Sequence, residues 1–162
     1  MASVLISLML LLLVYHHVDC TRCLVSSTNG RFGEECPLDW ITWRSQCYKI
    51  ISDLLTWREA KEQCIKMDAL LVVPLSKDET KFLLTLFRKP KFWINCNDIE
   101  TEGQWVCQED GAMVQYREWR QNEPDNFGVE NCAVAYYEGW NDLSCTNKCP
   151  AICKQKSPML HF

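Results

Sequence analysis

Glu123-Pro124-Asp125-Asn126-Phe127-Gly128-Val129-Glu130-Asn131-Cys132, followed by Trp140-Asn141-Asp142 just before Cys145, is the stretch from which the rest of the chain is read. It gathers five oxygen-bearing side chains, Glu123, Asp125, Glu130, Asn141 and Asp142, around one proline and one cysteine pair. Four of these are carboxylates, and carboxylates crowded together disfavour one another's ionised form unless positive charge is supplied. A hard divalent cation supplies it. Calcium takes roughly six to eight oxygen ligands from carboxylates, amide carbonyls and water, so the grouping reads as a calcium site.

Outward from that stretch, the composition supports one domain: 162 residues, 48% hydrophobic, with seven Trp, give enough apolar surface for a core. Residues 1–20 carry an apolar run from Val4 to Val14 and a polar end at Val18-Asp19-Cys20, the pattern of a secretory signal peptide. The run is far shorter than the ~20 residues a membrane-spanning helix needs, and no later segment is long enough either. A secreted, extracellular protein without a membrane span is therefore expected. The eleven cysteines agree, since a short chain on the oxidising secretory route builds a disulfide framework; removal of residues 1–20 takes Cys20 and leaves ten. His16 and His17 lie in the signal and His161 in the tail, so the domain has no imidazole for nucleophilic catalysis or zinc, and an enzyme is not expected. The net charge of −4 opposes nucleic-acid binding, which draws on positive charge meeting phosphate.

Residues 21–35, with Ser26-Ser27-Thr28-Asn29-Gly30, read as a polar lead-in, residues 36–154 as the domain, and residues 155–162 as a C-terminal tail, with the stretch from Lys154 onward docked lightly or disordered. Between Cys36 and Tyr48 the aromatic and apolar residues Trp40, Ile41 and Trp43 predict a hairpin stapled by close cysteines. Thr56-Trp57-Arg58-Glu59 and Ser76-Lys77-Asp78-Glu79 both read as capping boxes that start helices. Trp57, Ala60, Cys64 and Met67 form the buried face of the first helix; Phe82, Leu83, Leu86 and Phe87 form that of the second, which Pro90 stops. Phe92 to Cys96 and Gln104 to Cys107 predict two strands around an acidic turn, and Ala133 to Tyr137 and Ala151 to Cys153 further short strands. Helices early, then strands and long loops, make an α+β fold. Residues 111–131 show little periodicity, which a compact domain tolerates where the segment is functional or held by an ion.

The triplets Glu123-Pro124-Asp125 and Trp140-Asn141-Asp142 resemble those of the C-type lectins, whose sugar-binding calcium is held by Glu-Pro-Asn or Gln-Pro-Asp together with Trp-Asn-Asp. Cys36-Pro37-Leu38-Asp39-Trp40 through Cys47-Tyr48 is similar to the amino-terminal hairpin of the family's long form. Trp93-Ile94-Asn95-Cys96 corresponds to its Trp-Ile-Gly-Leu signature, with the last two residues replaced. The resemblance runs from Cys36 to about Lys154. It implies a C-type lectin-like fold, two helices packed on small antiparallel sheets with a long calcium-binding loop region. It also implies the disulfides Cys36–Cys47, Cys64–Cys153 and Cys132–Cys145. The principal calcium would be held by Glu123, Asp125, Glu130, Asn141 and Asp142, beside a cis bond before Pro124, with its open positions taken by vicinal sugar hydroxyls. Asp98, Glu102, Asn126 and again Glu130, with Asn131 contributing, match the family's auxiliary calcium. The implied partners are glycans on cell surfaces or microbes, the business of innate immunity.

Several residues depart from the pattern. With two carboxylates, Glu123 and Asp125 only accept hydrogen bonds, leaving Asn141 as the main amide donor. One sugar hydroxyl then loses a bond of about 0.5–1.5 kcal/mol, which predicts relaxed choice between mannose- or fucose-type and galactose-type sugars. Phe127 stands where galactose-binding relatives carry a stacking Trp, and either stacks on the sugar or packs inward. Pro124 to Cys132 lacks the glycine-rich insertion that accompanies galactose binding. Trp105, Trp119 and Trp140 read as loop and core anchors. Cys96 and Cys107 face each other across a predicted hairpin, which favours a fourth disulfide. Cys23 and Cys149 remain: they pair together, or Cys23 bridges two chains into a homo-oligomer. The competing reading is a relative of the same fold that has lost sugar binding and acts through protein or matrix contacts.

Overall fold

The computed structural model describes residues 36–86 and 91–157. The expected signal peptide, the lead-in, Cys23, the helix-stopping Pro90 with Phe87, and the tail from residue 158 lie outside the described residues. The elements run β1 (Ile41–Trp43), β2 (Gln46–Leu55), α1 (Trp57–Ile65), β3 (Leu70–Leu71), α2 (Lys77–Leu86), β4 (Phe92–Asn97), β5 (Val106–Glu109), β6 (Ala112–Met113), β7 (Cys132–Tyr136), β8 (Gly139–Leu143) and β9 (Cys149–Lys156). The strands follow the order β1-β2-β9-β4-β5-β6; β3 pairs with β9, and β7 links β4 to β8. All pairings are antiparallel except β4 with β9. None of the described helices is long and apolar enough to cross a membrane.

Strand β4 is the centre of the core, and its period of two explains how one strand serves two clusters. Phe92, Ile94 and Cys96 point into one cluster with Tyr48, Leu83, Leu84 and Trp140, whereas Trp93 points the other way among Trp57, Cys64, Val134 and Cys153. β7 divides in the same manner, Ala133 and Ala135 against Cys132 and Val134. Two indoles of the second cluster satisfy their donors on backbone: Trp57 Nε1 donates to the Ile94 carbonyl at 2.8 Å and Trp93 Nε1 to that of Leu55 at 2.7 Å. Asn95, which replaces a glycine of the family signature, bridges to the neighbouring strand, its Nδ2 donating to the Gln108 carbonyl at 2.8 Å.

Four disulfides are present among the described residues: Cys36–Cys47, Cys64–Cys153, Cys96–Cys107 and Cys132–Cys145. Cys64–Cys153 ties α1 to β9 across 89 residues, a constraint on the unfolded chain of about 4–5 kcal/mol. Cys149 is buried and has no disulfide partner among the described residues.

The structure corrects three expectations. Thr56 makes a complete capping box with Glu59, but Ser76 makes only half of one. Its Oγ accepts from the Glu79 amide at 3.2 Å, while the Glu79 carboxylate turns inward, accepting from Leu75 N at 2.9 Å and from the Tyr48 hydroxyl at 2.7 Å. The physical reason is Lys154, whose buried ammonium lies 3.0 Å from Glu79 and 2.6 Å from Glu109. Two carboxylates, a phenol and an ammonium thus close a buried network. For the same reason Lys154 does not begin a disordered tail: β9 continues to Lys156, paired with Gln46. In α2 the inward residues are Leu83 and Leu84, with Phe82 and Leu86 half-buried, so the stripe is rotated from the expected one because Glu79 and Thr80 also face inward.

Candidate functional site

The site is assembled on β8 and on the irregular segment that precedes β7. In the β7–β8 hairpin, Ala133 lies opposite Asp142 and Val134 opposite Asn141, so the Trp140-Asn141-Asp142 triplet is fixed by sheet register. Cys132–Cys145 ties the ends of this hairpin. The segment from 118 to 120 is drawn onto the start of β8: the Arg120 amide donates to the Trp140 carbonyl at 3.0 Å, and Trp119 forms an isolated parallel bridge with Trp140. Gly139 makes that approach feasible. A Cβ there would lie 2.6 Å from the Glu118 carbonyl oxygen and 2.8 Å from the Arg120 nitrogen, and its φ of +126° is itself costly for other residues. Trp119 packs edge-on against Trp105 and Trp140, so these indoles are anchors, as their sequence reading had it.

From this platform the chain turns through the cis Glu123–Pro124 bond. Asp142, fully buried, holds the next two residues, accepting from the Asp125 amide at 3.3 Å and the Asn126 amide at 2.7 Å. Asp125 Oδ1 accepts from the Phe127 amide at 3.1 Å, and Asn126 Oδ1 from that of Glu130 at 3.0 Å. The result brings carboxylate oxygens of Glu123, Asp125 and Asp142 within 4.8 Å of one another. Among the described residues no other acidic group closes to that extent. Glu130 stands beside it: burial first, then the charges of Asp142 and Asp125, push its carboxyl above the ordinary 4.5. Asn141 is nearly buried and enters the site through Arg120, described next.

Arg120 is the residue that sequence reasoning missed. Its guanidinium donates from Nε and Nη2 to Glu123 Oε1 at 2.9 and 2.6 Å, and Nη2 also donates to Asn141 Oδ1. It lies 5.4 Å from the Tyr136 ring, and the bond to Glu123 favours its charged form further. The only hint in sequence is an arginine three residues before Glu123.

Several buried oxygens remain unpartnered. Glu123 Oε2 is one; Asp98 Oδ1 and Asn131 Oδ1 are two others. Asp98 is 2% exposed, its Oδ2 accepting from Gly103 N at 2.8 Å and its own amide donating to the Asn131 carbonyl at 3.2 Å. The hairpin turn therefore meets the loop at Asp98 and Asn131, while Glu102 is exposed. Buried oxygen atoms without donors are costly, and an oxygen-only set with orphans at both places fits a hard divalent ion. Phe127 is 87% exposed and Val129 73%, which removes the inward-packing reading of Phe127.

The sequence model of the lectin C-type domain matches residues 53–155. The chain belongs to the C-type lectin family. Over 137 residues this C-type lectin is 33% identical to the CD209 antigen-like protein C of Mus musculus, covering 82% of the chain and 76% of that relative. Over 150 residues it is 32% identical to C-type lectin domain family 4 member D of Homo sapiens, covering 86% and 69%. Among solved structures it is similar to the C-type carbohydrate-recognition domain of cow CD23, determined in the presence of a GlcNAc2Man3 oligosaccharide, with a TM-score of 0.72 and 26% identity over 78% of the chain and 99% of that one. The C-type lectin fold is thus that of carbohydrate-recognition domains.

Proposed function

We propose that the chain is a secreted, calcium-dependent carbohydrate-binding lectin rather than an enzyme, with Glu123, Asp125, Glu130, Asn141 and Asp142 holding the principal calcium. Asp98, Glu102, Asn126 and Glu130, with Asn131, are the proposed auxiliary set. The observation that carries the reading is the carboxylate cluster Glu123, Asp125 and Asp142, with Glu123 Oε2 buried and unpartnered and the Phe127 ring exposed on the same loop. When bound, calcium would neutralise the carboxylates and offer open coordination positions to vicinal sugar hydroxyls. The chain's own part is to aim the oxygens, through β8 register and the Asp142 bonds to the loop, and to present Phe127 for stacking on the sugar's apolar face. A single such site binds weakly, so the lectin is proposed to act as an oligomer on glycans of cell surfaces or microbes, with Cys23 as the candidate inter-chain bridge.

The test is affinity chromatography on immobilised mannose and galactose. Retention in calcium and elution by chelator supports the lectin reading; passage through both columns in calcium removes it. One observation favours the competing class of protein or matrix binder: Arg120 already gives the cluster an internal cation. Calcium-insensitive binding to a protein surface, with no sugar retention, is the outcome that would favour that class.

A further inference from the structure

A guanidinium and a calcium ion cannot use the same oxygen atoms at the same time. Arg120 occupies Glu123 Oε1 with two donors and Asn141 Oδ1 with one of them, and both residues belong to the proposed principal calcium set. We propose that Arg120 is a built-in competitor that sets calcium affinity: it holds Glu123 and Asn141 when calcium is scarce and yields them when calcium binds. The proposal rests on the calcium reading above.

Three features support competition over a purely structural pair. First, the charges do not balance: carboxylates of Asp125 and Asp142 crowd Glu123, and Glu130 feels the charge of all three, yet the guanidinium pairs with Glu123 alone, so Arg120 relieves the repulsion without ending it. Second, the pairing is one-sided. Glu123 Oε2 is left buried and unpartnered although the arginine fork could have bridged both oxygens, as bidentate pairs do. Third, the two partners differ in freedom, for the Glu123 side chain is 7% exposed and that of Arg120 is 39% exposed. The carboxylate is fixed in place while the cation has a route to solvent. Its backbone need not move, because the Arg120 amide stays bonded to Trp140 and only the side chain has to swing from its position against Tyr136.

The consequence is a raised calcium threshold and a safeguarded calcium-free fold. Calorimetric titration of CaCl2 into the intact chain, Arg120→Ala and Arg120→Lys, each freed of calcium, reads it directly. Arg120→Ala is expected to bind calcium about tenfold more tightly, the fold-change equivalent to one charge-assisted hydrogen bond. Arg120→Lys, which keeps the charge but loses the fork, is expected to fall between. In chelator Arg120→Ala is expected to melt below the parent, with the gap closing in saturating calcium. Clear calcium heats of equal or weaker affinity in Arg120→Ala overturn the competitor while leaving the calcium site standing. No heat in any of the proteins overturns both. Should Arg120→Ala fail to fold, an affinity of Arg120→Lys unchanged from the parent also overturns it.

Discussion

Two clusters of carboxylates, each facing one cation, differ in how completely the cation does its work. At one, Glu79 and Glu109 share the ammonium of Lys154, the Tyr48 hydroxyl and the Leu75 amide complete the bonding of Glu79, and Glu79 and Lys154 are sealed from water. At the other, Arg120 pairs with only one of the four carboxylates, a buried oxygen of Glu123 has no donor, and Phe127 and Val129 stand exposed on the same loop. The first is a closed network whose gain is an ion-paired tether from α2 to β9. The second is left short of positive charge, and a shortfall at a surface loop is what a binding site for a cation looks like.

Breaking the closed network should have the largest effect on the fold. Lys154→Ala strands the buried carboxylate of Glu79, and removing one partner of a buried pair costs about 3–5 kcal/mol. Urea unfolding at neutral pH checks it; a loss under about 1 kcal/mol would show the network to be as loose as an exposed ion pair.

At the open cluster the same kind of deletion should spare the fold and strike the ion. Asp125 is exposed, so Asp125→Ala is expected to leave the calcium-free melting temperature nearly unchanged while weakening calcium at least ~100-fold, the upper end of what even an outer-shell partner costs. The milder Asp125→Asn keeps a ligand oxygen and restores an amide donor, and is expected to move sugar preference toward mannose over galactose. An unchanged ranking on a glycan array would show that the triplet is not the selector.

A smaller effect separates the states by pH. The Glu130 carboxyl is raised by burial and by its acidic neighbours, so in chelator the folded chain holds that proton more firmly than the unfolded chain does. Glu130 then favours folding below about pH 4.5 and withdraws that support as pH rises through the elevated value. Bound calcium favours the carboxylate and should reverse the slope. Unfolding free energies from acid to neutral pH, with calcium and with chelator, should diverge; parallel curves would contradict this. Smallest is Phe127→Ala, expected to weaken sugar by about 0.5–1.5 kcal/mol without touching stability or calcium, as fits an exposed ring whose contribution is one stacking contact.

Much of the scaffold was legible because it follows local rules. Thr56 and Glu59 announce α1, the run from Phe92 to Cys96 announces a strand, and the predicted hairpin put Cys96 opposite Cys107, which the register repeats. The candidate site was legible through spacing: Glu123, Asp125 and Asp142 come together although 17 residues separate the last two. What stayed hidden depends on contacts that no period encodes. Glu79 looks like a cap until Lys154 arrives from β9, 75 residues away, and turns its carboxylate inward. Arg120 looks like a loop cation until Gly139 lets its backbone sit against β8, which aims the guanidinium at Glu123 and Asn141. Polar side chains reached through tertiary approach are invisible to patterning, and here they decide how both clusters behave.

The most direct test of the shortfall is thermal unfolding in chelator, in magnesium and in rising calcium. A ligand that binds only the folded state stabilises it by RT ln(1 + [L]/Kd), so the melting temperature should climb steadily with the logarithm of calcium concentration and respond little to magnesium, which tolerates such irregular oxygen sets poorly. A melting temperature indifferent to calcium through the millimolar range would contradict the account.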